Sequence, residues 1–169
     1  MHVYKFPNWI CGLGLVFMVT ANGSLAASAA GWTEAGHAVL VQERTGLGWT
    51  RSDNGQELNW EQAKAHCAEL GAGWRLPSVD ELADIVDAAR TDGDSAACGS
   101  VRCKVPSLFK LSGSWHWSGS DLKKGGTGAE SSPLLAWGVQ LLNGSKNQTF
   151  KFMPHGARAL CARPIGSVK

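Results

Sequence analysis

The segment from Gly73 to Leu82 (GWRLPSVDEL) carries the strongest local folding signal in the chain. Ser78 follows Pro77 directly, and Glu81 stands three residues after Ser78. A serine before a helix can accept a hydrogen bond from the third helical amide, while a glutamate there bonds back to the serine amide. The segment therefore predicts a strand or turn that enters a capped helix from Asp80 to about Ala89.

A second helix is predicted before that segment. Asn59 and Gln62 have the spacing of a capping pair, and Gly71 stands where a helix through Leu70 would end. Apolar residues recur at helical spacing on one side of this stretch (Trp60, Ala63, Cys67 and Leu70). We therefore expect the Cys67 side chain to face the core.

Strand patterns surround the two helices. Early strands are predicted at residues 38–41 and 45–51, and residues 91–104 are predicted to be a loop. Later strands are predicted at residues 114–118, 135–142, 149–152 and 157–163, with a hairpin turn at Asn143-Gly144. Two helices early and several strands late predict an α+β domain.

The first residues resemble an export signal. Lys5 precedes an uncharged apolar run, Trp9 to Ala21, and Ala27-Ser28-Ala29 suits a signal peptidase. Thirteen helical residues span about 20 Å, less than the bilayer core of about 30 Å. We expect residues 1–29 to be a signal peptide, with no stable membrane anchor after cleavage. The protein would then be exported to the periplasm, the cell surface or the medium.

Residues 30–169 are expected to form one domain that contains four cysteines. Four cysteines in an exported domain predict two disulfides with three possible pairings, among which we favour Cys67–Cys161 and Cys98–Cys103. A redox or metal-binding role for Cys98 and Cys103 is the alternative. No second ligand pair or suitably spaced histidine accompanies them, so we predict neither a metal nor a cofactor.

Charge is unevenly distributed along the chain. Residues 31–98 carry five Lys/Arg and twelve Asp/Glu, whereas residues 99–169 carry ten Lys/Arg and two Asp/Glu. Such asymmetry can mark a face that binds polyanions, or the two halves can interleave in space and mix their charges. Both interpretations stay open, and we predict no nucleic-acid partner.

The ordered motifs of residues 38–163 resemble one bacterial family, the Lcl C-terminal domain family, named for the Legionella collagen-like adhesin. The resemblance is carried by TGLGW (45–49), LNWEQA (58–63) with Cys67, WRLP (74–77), AWGV (136–139) and RALCAR (158–163). It implies a C-type-lectin-like fold, with two helices flanking a small twisted antiparallel sheet and two disulfides. In such a fold a cysteine of the first helix pairs with one of the last strand, which matches Cys67 and Cys161.

The resemblance also implies a binding role, since family members occur on exported and surface-attached proteins and the namesake binds sulfated polysaccharide. A lectin-like fold would carry its variable ligand loop at Gly119 to Pro133, which contains Lys123 and Lys124. Arg102, Lys104 and Lys110 would extend a basic patch if the Cys98–Cys103 segment folds beside that loop. Trp115 or Trp117 could stack on a sugar, although core packing is the alternative for both.

Other conspicuous residues are interpreted as structural. Trp74 is expected to pack, and Arg75 to bond backbone carbonyls or a carboxylate. Asp92 and Asp94 could supply oxygen ligands for calcium, but two carboxylates fall short of a full coordination shell, and a solvated acidic turn is favoured. His116 lacks an evident nucleophile beside it, so no catalytic residue is predicted.

The sequence thus supports three hypotheses. The first is an exported, non-enzymatic binding or adhesion module for an anionic glycan, such as a polysaccharide, or for an envelope protein. The second is a structural or partner-binding subunit of an envelope assembly without glycan binding. The third is an enzyme resembling the formylglycine-generating oxidase, which would need free reactive thiols. The oligomeric state stays open.

Overall fold

A computed structural model describes residues 30–36, 38–121 and 132–166. The predicted signal peptide lies outside the described residues, and so does most of the predicted ligand loop, including Lys123 and Lys124. The described elements, in chain order, are β1 (Trp32–Ala35), β2 (Val39–Gln42), β3 (Leu47–Thr50), α1 (Trp60–Glu69), α2 (Val79–Asp84), β4 (Ser95–Cys98), β5 (Val101–Pro106), β6 (Trp115–Asp121), β7 (Leu135–Gln140), β8 (Ser145–Phe150) and β9 (Ala162–Pro164).

The nine strands form three separate antiparallel sheets. The first has the order β1-β2-β3-β9, the second is the hairpin β4-β5, and the third has the order β6-β7-β8. The predicted α+β, C-type-lectin-like arrangement of two helices flanking one small sheet is therefore wrong. The domain is mostly β, and its two helices are short.

The error has two local causes. The predicted loop at residues 91–104 contains β4 and most of β5. The small residues of β4 give no alternation of apolar and polar positions, whereas β5 does alternate, with Cys103 and Val105 buried, and the prediction overlooked that signal. The second helix ends at Asp84 instead of near Ala89, because the chain then turns and the Asp87 amide donates to the Lys104 carbonyl at 2.8 Å. This bond joins the segment after α2 to the hairpin.

Both predicted helix starts are confirmed. The Asn59 side chain accepts a hydrogen bond from the Gln62 backbone amide, and the Asn59 backbone amide donates to the Gln62 side chain. Ser78 and Glu81 form the same reciprocal pair at the start of α2. α1 buries Trp60, Ala63 and Cys67 of the predicted apolar face, whereas Leu70, the fourth residue predicted for that face, follows the end of the helix and is 44% exposed. None of the helices in the described ranges is long and apolar enough to cross a bilayer.

Two disulfides hold the chain, with the favoured pairings Cys67–Cys161 and Cys98–Cys103. The first joins α1 to the residue before β9 across a sequence separation of 94, and the second closes the β4-β5 hairpin across a separation of 5. All four cysteines are buried.

The two disulfides should differ in their contribution to stability. A crosslink restricts the unfolded chain more when it closes a longer loop, which gives about 4–5 kcal/mol for the long bridge and about 2 kcal/mol for the short one. We expect urea unfolding of Cys67→Ala/Cys161→Ala to show the larger loss of unfolding free energy. Cys98→Ala/Cys103→Ala is a matched control, since it also removes two buried sulfurs. Equal losses in the two variants would contradict the loop-length argument.

Candidate functional site

An open groove of about 580 Å³ lies between the turn at residues 52–55, the β4-β5 hairpin and residues 107–112. Residues 107–112 are fixed on both sides. The Lys110 amide donates to the Arg51 carbonyl at 2.8 Å, and the Leu111 amide donates to the Ala97 carbonyl at 3.3 Å. The lining is Ser52, Asp53, Gly55, Ser95, Ala97, Arg102, Ser107, Phe109, Lys110, Leu111 and Ser112.

The Asp53 carboxylate lies beneath this groove, with 2% of its side chain exposed. One oxygen, Oδ1, accepts from the Ser112 hydroxyl at 2.9 Å and the Gly55 amide at 3.0 Å. The other, Oδ2, accepts from the Ser112 amide at 2.7 Å and lies 3.3 Å from His116 Nε2. Four groups therefore satisfy a carboxylate that water barely reaches.

These contacts determine the protonation state of Asp53. Burial by itself raises the pKa of the carboxyl group, but the interactions with His116 and the hydrogen bonds from Ser112 outweigh burial and lower the pKa below its usual value. Because a carboxylate only accepts hydrogen bonds, we assign the proton of His116 that faces Asp53 to Nε2. The buried Nδ1 has no hydrogen-bond partner among the described residues.

Arg158 extends the network beyond the carboxylate. Its Nε donates to the Ser112 hydroxyl at 2.7 Å, and its Nη1 donates to the Gly156 carbonyl at 2.6 Å. Gly113 leaves room for this guanidinium, since a Cβ at Gly113 would lie 2.3 Å from Arg158 Nη1. The turn at Asp53, residues 112–116 and Arg158 are thus joined into one rigid support for the groove.

The hydrogen bonds of Ser112 limit the chemistry that this network can perform. The Ser112 hydroxyl donates to Asp53 and accepts from Arg158, and it makes no hydrogen bond to His116 in the described part of the chain. A nucleophilic serine instead needs a base that removes its proton, and a carboxylate with a lowered pKa is a weak base. The arrangement therefore suits a structural support better than nucleophilic catalysis.

Two cationic side chains, Arg102 and Lys110, lie at the groove and both residues are exposed. Arg102 Nη1 donates to the Ser95 carbonyl at 2.8 Å, which leaves its other donors available. Among the described residues, Lys110 makes no side-chain hydrogen bond or ion pair, and neither cation contacts a carboxylate. The groove therefore combines uncompensated positive charge with serine hydroxyls.

The predicted ligand-binding residues are not gathered in one place. Arg102 lines the groove, whereas Lys104 Nζ lies 2.6 Å from the Arg90 carbonyl oxygen and 3.7 Å from the Asp92 carboxylate. Trp117 is fully buried and its Nε1 donates to the Leu58 carbonyl at 2.7 Å, so it packs in the core. Trp115 is partly buried, and its ring lies against Gly138.

The acidic turn at Asp92–Asp94 forms a single 3₁₀ turn with exposed carboxylates. Asp94 accepts from the Thr91 hydroxyl at 3.2 Å, and Asp92 is near the Lys104 ammonium group. Across residues 30–36, 38–121 and 132–166, no group of three or more His, Cys, Asp or Glu residues is arranged to hold a metal ion.

Sequence reasoning missed the centre of the site. The residues Ser52 to Gly55 (SDNG) predict a turn and no more, and no pattern in the sequence assigns a role to Ser112. The Asp-x-Gly spacing at Asp53 does indicate the side-chain-to-amide bond that closes this turn. Nothing in the sequence indicates that the same carboxylate bonds Ser112, which is 59 residues away.

Comparisons with known proteins identify one family. A family model described as the Lcl C-terminal domain matches residues 38–161. Among solved structures, the crystal structure of botrocetin aligns with a TM-score of 0.37 and 14% sequence identity, and the alignment covers 80% of this chain and 96% of botrocetin. No curated protein matches the chain significantly.

Removal of the buried carboxylate should destabilise the domain in a pH-dependent way. We expect Asp53→Asn to lower the free energy of unfolding by about 2 kcal/mol at pH 7, because the amide leaves buried donors unsatisfied. The native pKa of Asp53 lies below the usual value, so its charge stabilises the fold fully above about pH 4. That contribution is lost as the pH falls through the native pKa.

Urea unfolding between pH 7 and pH 2.5 measures the effect, with Asp92→Asn as the exposed control. The difference between Asp53→Asn and the unsubstituted protein should shrink only at the acidic end, below about pH 4. A difference that is constant over the whole range would contradict the ionised state assigned to Asp53.

Proposed function

Since the chain belongs to the Lcl C-terminal domain family, we propose that it is a non-enzymatic binding module that holds an anionic glycan in the groove above Asp53. The observation that carries the proposal is the pair of exposed cations, Arg102 and Lys110, without a carboxylate partner among the described residues. A planar guanidinium binds sulfate or carboxylate through paired hydrogen bonds, and an ammonium group adds a point charge.

The groove suits a glycan in its size and chemistry. Ligand sites commonly measure about 300–1,000 Å³, and this groove of about 580 Å³ falls within that range. Its open form allows a polymer to pass through, and the exposed hydroxyls of Ser52 and Ser107 can bond sugar hydroxyls. The negative charge of Asp53 is offset by its hydrogen-bond donors and by the Arg158 guanidinium on the other side of Ser112, which reduces its repulsion of an anion.

The proposal treats the domain as a binder without catalysis. An oxidase of the formylglycine-generating type would need free reactive thiols, whereas Cys67, Cys98, Cys103 and Cys161 are paired in disulfides. Thiol titration of the native protein tests this point, because free thiols of low pKa would favour the enzyme.

We also propose that the protein is exported, as its apolar leader suggests. Disulfides persist in oxidising compartments such as the periplasm and the cell exterior, and the four paired cysteines suit such a location. The protein would then meet envelope or host polysaccharides. Cell fractionation with an antibody to the protein tests this export.

A second candidate function, binding to an envelope protein, is favoured by one observation. Four large apolar residues near the end of β8 are exposed, and we call them the apolar patch. They are Leu134 (57% exposed), Phe150 (46%), Phe152 (63%) and Met153 (45%). The Phe150 and Phe152 rings lie 5.4 Å apart, and the Lys151 amide bonds the Leu134 carbonyl. Contiguous exposed apolar groups are typical of protein interaction surfaces.

The two candidate functions separate in one experiment. Phe150→Ser/Phe152→Ser should leave glycan binding unchanged if the groove is the recognition site. If the apolar patch is the recognition site, this variant should lose a crosslinked envelope partner that Arg102→Gln/Lys110→Gln retains. The crosslinked complex would be identified by mass spectrometry.

The groove proposal predicts a specific loss of polyanion binding. We expect Arg102→Gln/Lys110→Gln to weaken binding to heparin at low salt about tenfold, because two charge contacts are removed. Fluorescence anisotropy with labelled heparin measures affinity, with neutral dextran as the uncharged probe. Binding by the unsubstituted protein should weaken as salt is raised.

A charge-matched control separates the groove from general electrostatics. Arg44→Gln/Lys146→Gln removes the same two charges from exposed residues outside the groove. This control should retain most of the affinity for heparin. Equal weakening in the two variants, or no binding by the unsubstituted protein at low salt, would overturn the proposed function.

A further inference from the structure

A second groove, the α1 groove, shares no lining residue with the first. It has a volume of about 310 Å³ and is lined by Lys64, Ala68, Trp74, Arg75, Leu76 and Gly119. Three walls enclose it: the exposed side of α1, the segment that precedes α2, and the end of β6 at Gly119. Its size, near the lower limit for ligand sites, suits one or two sugar rings.

Trp74 is partly exposed at this groove and is held in place by its surroundings. The Arg163 guanidinium lies over one face of the Trp74 ring, with its central carbon 4.8 Å from the ring centroid, so a ligand can meet only the part of the indole that stays exposed. The next residue, Arg75, exchanges two backbone hydrogen bonds with Ala162, at 3.0 and 2.9 Å. An indole fixed in this way loses little conformational entropy when a ligand packs against it.

Gly119 allows the third wall to approach closely. Its amide donates to the Pro77 carbonyl at 2.7 Å, and a Cβ at Gly119 would lie 3.0 Å from the Leu76 carbonyl oxygen. The end of β6 therefore lies against the segment that contains Trp74. The groove is built by backbone contacts among elements that are distant in sequence.

The charges at the α1 groove are already compensated. Arg75 donates from Nη1 and Nη2 to the two oxygens of Glu81, at 2.7 and 2.8 Å, and Nη1 also donates to the Leu76 carbonyl. The Lys64 ammonium nitrogen lies 3.3 Å from a Glu61 oxygen. The bidentate bond to Arg75 lowers the pKa of Glu81 despite burial, so the pair stays ionised at neutral pH.

The α1 groove differs from the groove above Asp53 in its charge, because its two cations are paired with carboxylates and an indole lies beside them. The apolar face of a pyranose ring packs well on an aromatic ring, and the hydroxyls at its rim both donate and accept hydrogen bonds. The Arg75 guanidinium and the Lys64 ammonium group line the groove and can donate hydrogen bonds to such hydroxyls. An anionic ligand would gain little here because Arg75 and Lys64 already face carboxylates.

We propose that the α1 groove is a second binding site, specific for a neutral pyranose ring of a glycan that stacks on the indole of Trp74. Arg75 and Lys64 bond the hydroxyls of the ring. The site does not depend on the anionic groove, and the two would let one domain hold a charged and an uncharged stretch of polysaccharide together.

The test is a titration followed by ¹⁹F NMR of protein labelled with 5-fluorotryptophan. The Trp74 resonance is identified by its absence in Trp74→Phe. The probes are cellotetraose, xylotetraose, mannotetraose and chitotetraose, each added to about 10 mM, a range that detects weak binding. We expect at least one probe to shift the Trp74 resonance saturably, and the shift to persist at about 0.5 M NaCl.

Two phenylalanine variants on α1 provide the matched comparison. Ala68→Phe fills the groove, whereas Ala65→Phe adds the same side chain at an exposed position of the helix outside the groove. The saturable shift should disappear in Ala68→Phe and remain in Ala65→Phe. The shift should also remain in Arg102→Gln/Lys110→Gln, since these residues lie outside the α1 groove. A protein that does not bind heparin can therefore still show binding at Trp74, and the two proposals are tested separately. No shift with any probe, or an equal shift in both phenylalanine variants, would overturn the proposal.

Discussion

The disulfide between Cys67 and Cys161 fixes α1 to the residue that leads into the last strand of the first sheet. α1 has only ten residues, a length at which an isolated helix is marginal in water. The disulfide attaches α1 to Cys161, whose backbone amide donates to the Thr50 hydroxyl and whose carbonyl accepts from the Thr50 amide. One covalent bond thus connects α1 to the end of β3 and the start of β9.

The α1 groove depends on this connection. Ala162 follows Cys161 directly and pairs with Trp49 in the first sheet, while its backbone also bonds Arg75. The helix wall and the Trp74 wall of the groove are therefore attached to consecutive residues, 161 and 162. Loss of the disulfide would remove the covalent connection between the two walls even where the first sheet survives.

The groove above Asp53 depends on a polar connection. Asp53 bonds Ser112 and His116 across separations of 59 and 63 residues, and Arg158 reaches the same serine from the far end of the chain. Because the carboxylate is nearly inaccessible to water, each of these bonds forms in a medium of low polarity, where an unpaired partner would be costly. This network therefore holds the turn that carries one edge of the groove.

Local signals predicted the parts of the fold that short-range physics controls. The two capping pairs, the buried face of α1 and the strand positions at β2, β3, β6 and β7 follow from spacing within a few residues. The division into three sheets cannot be predicted in this way, because it depends on which strand edges pair after the chain turns. Residues 95–106 illustrate this point, since β5 alternates apolar and polar residues but the pattern does not identify β4 as its partner. That pairing brings Cys98 and Cys103 together in a disulfide.

The uneven charge along the chain now has a partial physical explanation. Lys104 and Lys146, from the basic half, pair with Asp92 and Asp80 of the acidic half, so interleaving consumes part of the asymmetry. Arg102 and Lys110 have no such carboxylate partner among the described residues and lie at one groove. The sequence indicated Arg102 as a basic residue of the predicted loop at residues 91–104, but it could not separate Arg102 from Lys104, two residues away on what is the same strand, β5. That distinction depends on the positions of the Ser95 and Arg90 carbonyls, which only the folded chain determines.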